Sequence, residues 1–453
     1  MFSSGAAVVA MVEDKQRILI VGLGKTGLSC ARYLSAQGIE VAVIDSREQP
    51  ELLVQLQQEL PNVAVFTGGF DQQVFDSADE LIVSPGVSLK HPVILKAISE
   101  GKTILGDVEL FAQQAKAPVM VVTGSNGKTT VTSLLSVMAR EAGKDVRVGG
   151  NIGKPVLELL EKTEPDLYVL ELSSFQLEYT QTLNAHVSTV LNISEDHMDR
   201  YDDVHEYMKA KQRVFRGSGV MILNRDDVDV MSMAEPLRTI KTFGLQEPDA
   251  TEYGIREIEG ECWLCRGESK LLKANDLKIP GLHNITNALA ALAMGEAAGF
   301  ELSAMIRALK GFQGLAHRTQ FIRELDNVRW FNDSKGTNVG ATQAALNGMP
   351  DKVVLIVGGE GKGADFSELR ESVASKARAV ILIGRDAKVI EKSLEGTAAL
   401  VHAVDMQDAV NKARKYAQAG DVVILSPACA SFDMFDNYEQ RGNVFSECVR
   451  GLA

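Results

Sequence analysis

The residues best suited to chemistry lie in a glycine-rich turn within the segment VVTGSNGKTT, between an apolar run and a helical pattern. The turn contains Gly124, Gly127, Lys128, Thr129 and Thr130. Glycines let successive backbone N–H groups face phosphate oxygens, and the N-terminus of the following helix adds the positive end of its dipole. Lys128 can then reach the β- and γ-phosphates, and the Thr129 hydroxyl can ligate Mg²⁺. Val122 stands where the usual G-x-x-x-x-G-K-[ST] pattern has its first glycine, but the order of elements predicts a phosphate-binding loop.

Acidic side chains follow two further apolar runs and could place metal ions beside that loop. Glu171 ends the run LYVLEL, and the segment NISEDHMDRY after the next run offers Glu195, Asp196, His197 and Asp199. Mg²⁺ prefers oxygen ligands and retains water, so a mixed set of carboxylates and imidazole suggests more than one ion. A loop histidine more often only forms hydrogen bonds, but beside a phosphate loop the ligand role is favoured for His197.

A second glycine motif, GLGKTG, lies near the start of the chain. It supplies Gly22, Gly24 and Gly27 in the pattern G-x-G-x-x-G, and Asp45 ends the next predicted strand. That spacing first suggests a dinucleotide, with the acid on a ribose hydroxyl. However, Arg47 follows two residues later, and no segment offers a recognisable hydride-transfer site. A nucleotide or nucleotide-sugar diphosphate fits the same cradle, so the motif leaves both ligands open.

Short apolar runs alternate with helical stretches along most of the chain. The predicted strands include RILIVG, EVAVID, VAVF, ELIVS, PVMVVTG, LYVLEL, VSTVLNI, VVLIVGG, AVILIG and DVVILSP. This alternation is typical of α/β folds with parallel sheets that bind ligands at the carboxyl ends of the strands. Between them, TEYGIREIE, ECWLCRG and ESKLLKA predict a small antiparallel sheet. We predict three domains: a Rossmann-like domain over 1–106, a central P-loop ATPase-like domain over 107–314, and a Rossmann-like domain over 315–453.

Composition excludes several classes of protein. The net charge of −13 argues against nucleic acid as a partner, because phosphate backbones require a basic surface. No apolar run reaches the ~18 residues that span a bilayer, and the start MFSSGAAVVAMVEDK has no basic segment ahead of its apolar stretch, so neither membrane insertion nor a signal peptide is expected. Five cysteines, including a lone C-x-x-C at Cys262 and Cys265, give no disulfide framework. We expect a cytoplasmic protein.

Eight motifs, taken in their order, resemble the Mur ligase family. They are SNGKTT, ELSSFQL, NISEDHMDRY, GLHNITNALAA, LAHRTQ, NDSKGTN, GGEGKGADF and LSPACASFDMFDNYEQRG. The resemblance runs from about Arg17 to the C-terminus, and its C-terminal motifs and the GDVELF segment look most like the members that add D-glutamate to UDP-N-acetylmuramoyl-L-alanine. It implies an ATP-dependent amide ligase of cytoplasmic peptidoglycan precursor synthesis, serving cell wall growth and division. It further implies a monomer with these two substrates and ATP as its partners.

The resemblance also assigns residues to three ligands. The residues expected at the UDP substrate are Lys25, Thr26, Asp45, Ser46, Arg47, Ser84 and Gly86, with Asn151 and His197 at its muramoyl-peptide end. Those expected at ATP are Gly124, Asn126, Gly127, Lys128, Thr129, Thr130, Asn284, Asn287, Arg318 and Asp333. Those expected at D-glutamate are Thr337, Lys362, Ser431, Phe432 and Tyr438, with Lys362 pairing a substrate carboxylate. The implied catalytic residues are Lys128, His197, Lys211 and Lys335.

Two Mg²⁺ ions are part of the same expectation. Thr129 and Glu171 would hold one ion, and His197 and Lys211 the other. An ammonium group cannot ligate a cation, and in the family the matching lysine carries a carbamate derived from CO₂, which supplies oxygens. From the residues alone, Lys211 would be interpreted as a solvated helix lysine.

The implied reaction joins a carboxylate to an amine through an acyl phosphate, which explains why the chain offers no nucleophile triad. Three alternatives stand beside it. Another Mur ligase or a folylpolyglutamate synthase-like enzyme would share the ATP domain, although the latter normally lacks a uridine-binding domain. A nicotinamide-dependent dehydrogenase would use the first glycine motif for its cofactor. A nucleotide-binding module without activity would bind the nucleotide and release no phosphate.

Overall fold

The computed structural model describes residues 17–279, 281–349 and 351–452. These form two compact units. The first comprises residues 17–114, 155–161 and 178–181, and the second comprises the remaining described residues. The expectation that the chain carries no signal peptide concerns residues that lie outside the described part.

The first unit is built on a five-stranded parallel sheet in the order β3-β2-β1-β4-β5. Its strands are β1 (Ile18–Val21), β2 (Val41–Asp45), β3 (Ala64–Thr67), β4 (Glu80–Val83) and β5 (Thr103–Leu105). Its helices are α1 (Lys25–Ala36), α2 (Leu53–Glu59), α3 (Gln72–Ser77), α4 (Pro92–Ser99) and α5 (Asp107–Ala112), with a 3₁₀ turn at Val156–Leu159. The central strand β1 is buried throughout because helices cover both faces of a parallel sheet.

The GLGKTG motif forms the turn between β1 and α1. Gly22 has φ = 94°, which favours glycine, and its carbonyl oxygen accepts a hydrogen bond from Ser84 Oγ at 2.9 Å. Gly27 packs so closely that an added Cβ would lie 2.0 Å from the Gly22 oxygen. The third glycine of the motif therefore serves the close approach of helix to turn.

This contact makes a stability prediction. Gly27→Ala should lower the free energy of unfolding by about 1–3 kcal/mol, because the added methyl group must displace backbone. Gly24→Ala is the matched control, since a Cβ at Gly24 meets nothing within 4 Å. Denaturant unfolding of both variants measures the difference, and equal losses would contradict the packing described.

The second unit contains a nine-stranded sheet in the order β14-β13-β12-β11-β10-β9-β6-β8-β7. Its strands are β6 (Val119–Thr123), β7 (Val146–Gly150), β8 (Leu167–Glu171), β9 (Val187–Val190), β10 (Val220–Asn224), β11 (Ile240–Phe243), β12 (Tyr253–Ile258), β13 (Glu261–Arg266) and β14 (Ser269–Lys273). The associated helices are α6 (Lys128–Glu141), α7 (Ser174–Glu178), α8 (Val204–Gln212), α9 (Val228–Ser232), α10 (Leu282–Ala297) and α11 (Leu302–Gly311), with 3₁₀ turns at Arg213–Phe215 and Ala274–Asp276. The sheet is parallel up to β12, and β12, β13 and β14 are antiparallel.

A six-stranded sheet in the order β15-β16-β20-β17-β18-β19 completes the second unit. Its strands are β15 (Gln320–Leu325), β16 (Val328–Asn332), β17 (Val353–Gly358), β18 (Ala377–Ile383), β19 (Ala399–His402) and β20 (Val422–Leu425). Its helices are α12 (Val339–Gly348), α13 (Arg370–Lys376), α14 (Ala387–Leu394), α15 (Met406–Tyr416) and α16 (Tyr438–Arg450), with a 3₁₀ turn at Phe366–Leu369. Only the edge strand β15 among these described strands is antiparallel to its neighbour.

Buried apolar side chains hold the nine-stranded and six-stranded sheets against their helices. Helices α6, α10 and α11 pack together on the nine-stranded sheet through fully buried side chains such as Leu134, Leu135 and Leu292. The six-stranded sheet has a separate apolar cluster on each face. Each fully buried leucine contributes about 1.5–3 kcal/mol of transfer free energy.

The α/β class predicted from the sequence is confirmed. The predicted strands lie in all three sheets, which also contain strands that the sequence analysis did not predict: β5, β7, β10, β11, β15, β16 and β19. The predicted antiparallel strands are not a separate sheet but continue the edge of the nine-stranded one, through the parallel pair Phe243 and Tyr253. Residues 107–114 pack with the first unit, whereas the predicted boundary lies at 106. Cys262 and Cys265 stand three apart on one strand, β13, so their side chains point to opposite faces, which does not favour a shared metal.

Among the described residues, no helix is both long and apolar enough to cross a membrane.

Candidate functional site

The phosphate loop predicted from VVTGSNGKTT connects β6 to α6. Gly127 is the N-cap of α6 with φ = 84°, and Gly124 has φ = 143°. The segment after β9 fixes the loop: Asn192 Oδ1 accepts from the Asn126 backbone N–H at 2.8 Å, and Asn192 Nδ2 donates to the Asn126 carbonyl at 3.1 Å. The N-terminus of the 14-residue helix α6 is thereby presented at the end of the loop, as an anion site requires.

Two lysines meet at one carbonyl oxygen of this loop. Lys128 Nζ donates to the Gly124 carbonyl at 2.7 Å and to the Ser125 carbonyl at 2.9 Å. Lys211 Nζ donates to the same Gly124 oxygen at 2.9 Å and lies 4.4 Å from the centre of the Tyr207 ring. Burial lowers the pKa of both amines, and the neighbouring Lys128 lowers the pKa of Lys211 further, well below its usual range. Lys211 is 1% exposed, so the solvated role expected from the residues alone is wrong.

Glu171 ends β8 as a buried carboxylate next to these lysines. Its Oε1 accepts from Asn151 Nδ2 at 2.9 Å, while Oε2 is buried without a hydrogen-bond partner in the part of the chain that the structure describes. A carboxylate oxygen left unpaired in the interior is costly. It is also a hard ligand that suits a divalent cation.

Only part of the set predicted in the NISEDHMDRY segment lines the site. His197, with φ = 60°, and Asp196 line a cavity with Lys128 and Lys211, whereas Glu195 and Asp199 are exposed outside it. Burial lowers the pKa of His197; the neighbouring Asp196 opposes this shift, and Lys362, Lys211 and Lys128 add to it. A lowered pKa favours the neutral imidazole, which is the form that binds metals.

The six-stranded sheet brings further predicted residues to the loop. Arg318 Nη2 donates to Thr129 Oγ1 at 2.5 Å. Asp333 accepts from Ser426 Oγ at 2.8 Å and from the Thr319 backbone N–H at 3.0 Å, and burial raises its pKa to about 6.

Lys335 and Tyr438 form a contact in the same region. The Lys335 ammonium lies 3.8 Å from the Tyr438 ring centre. Burial, with the positive charge of Arg318, lowers the pKa of Lys335 to about 8. Cationic groups of weakened basicity thus gather around the phosphate loop.

These side chains line two cavities that share the phosphate loop. The first, of about 360 Å³, is lined by the predicted residues Asn126, Gly127, Thr130, Asn284, Asn287, Arg318, Asp333 and Lys335. The second, of about 460 Å³, is lined by the predicted residues Asn126, Gly127, Lys128, Thr129, Asn151, Glu171, His197, Lys211, Arg318, Lys335, Thr337, Lys362, Ser431, Phe432 and Tyr438. Gly124 lines neither cavity and acts through its carbonyl oxygen.

The remaining predicted residues lie in the first unit. Asp45 is buried and accepts from the Leu23 N–H at 2.7 Å and from Arg47 Nη2 at 2.7 Å. Burial alone would raise the pKa of Asp45, but these hydrogen bonds lower it overall. Beside them, Lys25, Ser46 and Gly86 are exposed, Thr26 is half-buried and Ser84 is buried.

Several lining residues were missed by the sequence analysis. Asn338 caps α12 through the Ala341 N–H at 2.8 Å, and its Nδ2 donates to Asp196 Oδ2 at 3.2 Å. Phe175 contacts the His197 ring edge-on at 4.7 Å. Asn338 is the last residue of the motif NDSKGTN and directly precedes α12, and this capping pattern was the available signal.

The residues present fit a magnesium ion. No group of three or more His, Cys, Asp or Glu side chains able to hold a metal occurs in residues 17–279, 281–349 and 351–452. Mg²⁺ ordinarily takes one or two carboxylates and completes its shell with water and substrate phosphates. The unpaired Glu171 oxygen and the Thr129 hydroxyl, which line the same cavity, meet that requirement.

Comparisons with known families agree with this arrangement. Sequence models of Mur ligases match three successive regions: the MurD-like N-terminal domain at residues 16–106, the middle domain at 122–295 and the glutamate ligase domain at 317–429. The chain belongs to the Mur ligase family.

Two similar relatives carry the same, more specific name. A UDP-N-acetylmuramoylalanine–D-glutamate ligase from Nitrosococcus oceani is 54% identical over 436 residues, covering 96% of each chain. The protein of that name from Pseudomonas putida is 49% identical over 449 residues, covering 98% of this chain and all of its own.

A solved structure shows the same fold at low identity. It is the UDP-N-acetylmuramate-alanine ligase from Thermotoga maritima, with a TM-score of 0.58 at 20% identity, covering 96% of this chain and 99% of its own.

Proposed function

We propose that the chain joins D-glutamate to UDP-N-acetylmuramoyl-L-alanine at the expense of ATP, in the synthesis of peptidoglycan precursors. The observation that carries the proposal is the second cavity. There a phosphate loop, a buried carboxylate and the four cationic side chains Lys128, Lys211, Arg318 and Lys335 meet the residues expected at an amino acid. The two relatives described above, near 50% identical over almost their full length, carry the name of this activity. As a working hypothesis, the enzyme is a cytoplasmic monomer.

The reaction proceeds in two bond exchanges. A carboxylate oxygen of the UDP substrate attacks the γ-phosphorus of ATP, and the bond to ADP breaks. The amine nitrogen of D-glutamate then attacks the carbonyl carbon of the acyl phosphate. The resulting tetrahedral intermediate loses phosphate, the nitrogen loses a proton, and an amide remains.

The first exchange brings two anions together, and their repulsion is the main barrier. The side chains around the loop reduce it: Lys128 is adjacent to the helix N-terminus, and Arg318 reaches Thr129 from the third sheet. Both are fixed before reaction, so the stabilisation requires little reorganisation. Exclusion of water also protects an acyl phosphate from hydrolysis.

Mg²⁺ would neutralise phosphate charge when bound. Thr129 and Glu171 would hold one ion, and His197 with a modified Lys211 would hold a second. The unpaired Glu171 oxygen and the lowered pKa of His197, which favours its neutral form, support this assignment.

The environment of Lys211 supports a carbamate on its amine. The nitrogen lone pair of an unprotonated amine attacks CO₂, one amine proton leaves, and a carboxylate-like group forms. Lys211 meets the first condition because its pKa lies well below the usual range, and within the described residues no carboxylate forms an ion pair with it. The added anion would relieve the crowding of positive charge beside Lys128.

The uridine nucleotide is assigned to the first unit. Its glycine turn and the Asp45–Arg47 pair at the end of β2 support that assignment, since a diphosphate fits a turn of this shape. The proposed set is completed by the exposed Lys25, Ser46 and Gly86, the half-buried Thr26 and the buried Ser84, with Asn151 and His197 at the peptide end.

The amino acid is assigned to the third sheet, where Lys362 is expected to bind one carboxylate. Lys362→Ala should raise the KM for D-glutamate about 10- to 100-fold, because a charge-assisted hydrogen bond is lost. The KM for ATP should change far less. Lys388→Ala, which removes an exposed lysine of helix α14, is the control in steady-state assays. Equal effects on the KM values of both substrates would place Lys362 elsewhere.

One assay tests the proposed function directly. Phosphate release should require UDP-N-acetylmuramoyl-L-alanine together with D-glutamate, and L-glutamate should not replace it. Release with a folate and L-glutamate would instead indicate the folylpolyglutamate synthase alternative. Absence of release, with reduction of a nicotinamide cofactor, would indicate a dehydrogenase.

A further inference from the structure

Arg441, on α16, is a buried cation that the proposed reaction does not use. It is 1% exposed, and its three hydrogen bonds go to neutral acceptors: Nη2 to the Ser334 carbonyl at 2.7 Å, Nε to Ser334 Oγ at 3.0 Å, and Nη1 to the Cys429 carbonyl at 3.0 Å. No carboxylate of the described residues lies within ion-pair distance of it. Placing a guanidinium in such a site costs free energy, so stability alone does not explain its presence.

The acceptors of Arg441 belong to two different segments of the site. Ser334 lies between Asp333 and Lys335, on the side assigned to ATP. Cys429 leads through Ala430 to Ser431, on the side assigned to the amino acid. The planar guanidinium group of Arg441 donates hydrogen bonds to both segments and so fixes the distance between them. The flexible ammonium group of a lysine could not do this.

The backbone near the hydrogen bonds of Arg441 is strained, and its segments are hydrogen-bonded to one another. Ala428 has φ = 56° and donates from its N–H to the Gly336 carbonyl at 2.9 Å. Ala430 exchanges two backbone hydrogen bonds with Glu360, at 2.9 and 3.0 Å, and so reaches the loop of Lys362, which has φ = 51°. Non-glycine residues keep such conformations only where their surroundings over-determine them.

We propose that Arg441 is a positioning residue that sets the distance between the ATP-side segment at Lys335 and the amino-acid-side segment at Ser431. The inference rests on the proposed function, since it is that function which assigns the two segments to different substrates. It identifies a residue that contacts neither substrate and yet controls the affinity for both.

The test compares Michaelis constants for three substrates. In Arg441→Lys, the KM for ATP and the KM for D-glutamate should each rise about tenfold, because the fork that joins the segments is lost. The KM for UDP-N-acetylmuramoyl-L-alanine should stay within about twofold of the wild-type value. A purely structural role would lower kcat with the folded fraction and leave all three constants unchanged, and that result would overturn the proposal.

Controls keep the result interpretable. Arg378→Lys alters an arginine of the same sheet that pairs with Asp421, and it should change none of the constants. If Arg441→Lys does not fold, Ser334→Ala removes a single acceptor of the fork and should raise the same two constants by a smaller factor; unchanged constants there would overturn the proposal. Guanidinium ion added to Arg441→Ala should lower both constants, and methylammonium should not. Wild-type protein that releases no phosphate would refute the proposed function instead.

Discussion

Lys128→Ala should lower kcat by at least about a thousandfold, since it removes a fixed positive charge from the position of the transferred phosphate. In the structure, Lys128 Nζ is held by the Gly124 and Ser125 carbonyls of the loop. These two carbonyls take two of the three hydrogen-bond donors of an ammonium group, and the third donor remains for an anionic acceptor. A bound phosphate is such an acceptor.

Steady-state phosphate release measures this effect. Lys144→Ala, which removes an exposed lysine three residues beyond the C-terminal end of α6, should retain the wild-type rate. Thermal unfolding of Lys128→Ala establishes that the loop and helix remain folded. A folded Lys128→Ala protein with a rate within about tenfold of the wild type would refute the phosphate assignment.

Lys211→Ala should be nearly inactive and should regain part of its activity with a small carboxylic acid such as acetate. The methyl group of alanine leaves room for the added acid, which restores oxygens where the carbamate would lie. Wild-type protein equilibrated with ¹³C-labelled CO₂ should also show a carbamate resonance that the variant lacks. That measurement does not depend on turnover.

The control for this prediction lies on the same helix. Lys209→Ala removes an exposed lysine of α8 and should leave both the activity and the resonance intact. Should Lys211→Ala fold normally, show no recovery with any small acid, and leave the carbamate resonance in place, the modification belongs elsewhere.

The sheets were predictable because their central strands are continuous apolar runs. Strands β17 and β20, which are fully buried, were predicted from the apolar runs VVLIVGG and DVVILSP. Edge strands carry weaker signals: β15 reads QFIREL and β19 reads ALVH, with partly exposed side chains. A short edge strand takes its pairing from its neighbour, and nothing in its own sequence specifies that neighbour.

Part of the candidate site could also be predicted from the sequence. Phosphate loops have a local pattern, from which the glycine turn and the start of a helix at Lys128 were predicted. The states of the side chains depend on contacts distant in sequence: Lys211 lies 87 residues from the Gly124 carbonyl that it contacts. Arg441 lies 107 residues from Ser334. Patterns within a short stretch of sequence cannot identify such distant pairs, so the sequence alone could not reveal that both cations are buried.

The antiparallel strands at the edge of the nine-stranded sheet have a consequence for handling the protein. β14 reads SKLLK, and its two lysines each lie 5.4 Å from the centre of the Trp263 ring. An outermost strand offers unpaired amide groups to any other extended chain, and lysines on it discourage such pairing. We therefore expect Lys270 and Lys273 to reduce aggregation through this edge at the high protein concentrations reached in overexpression.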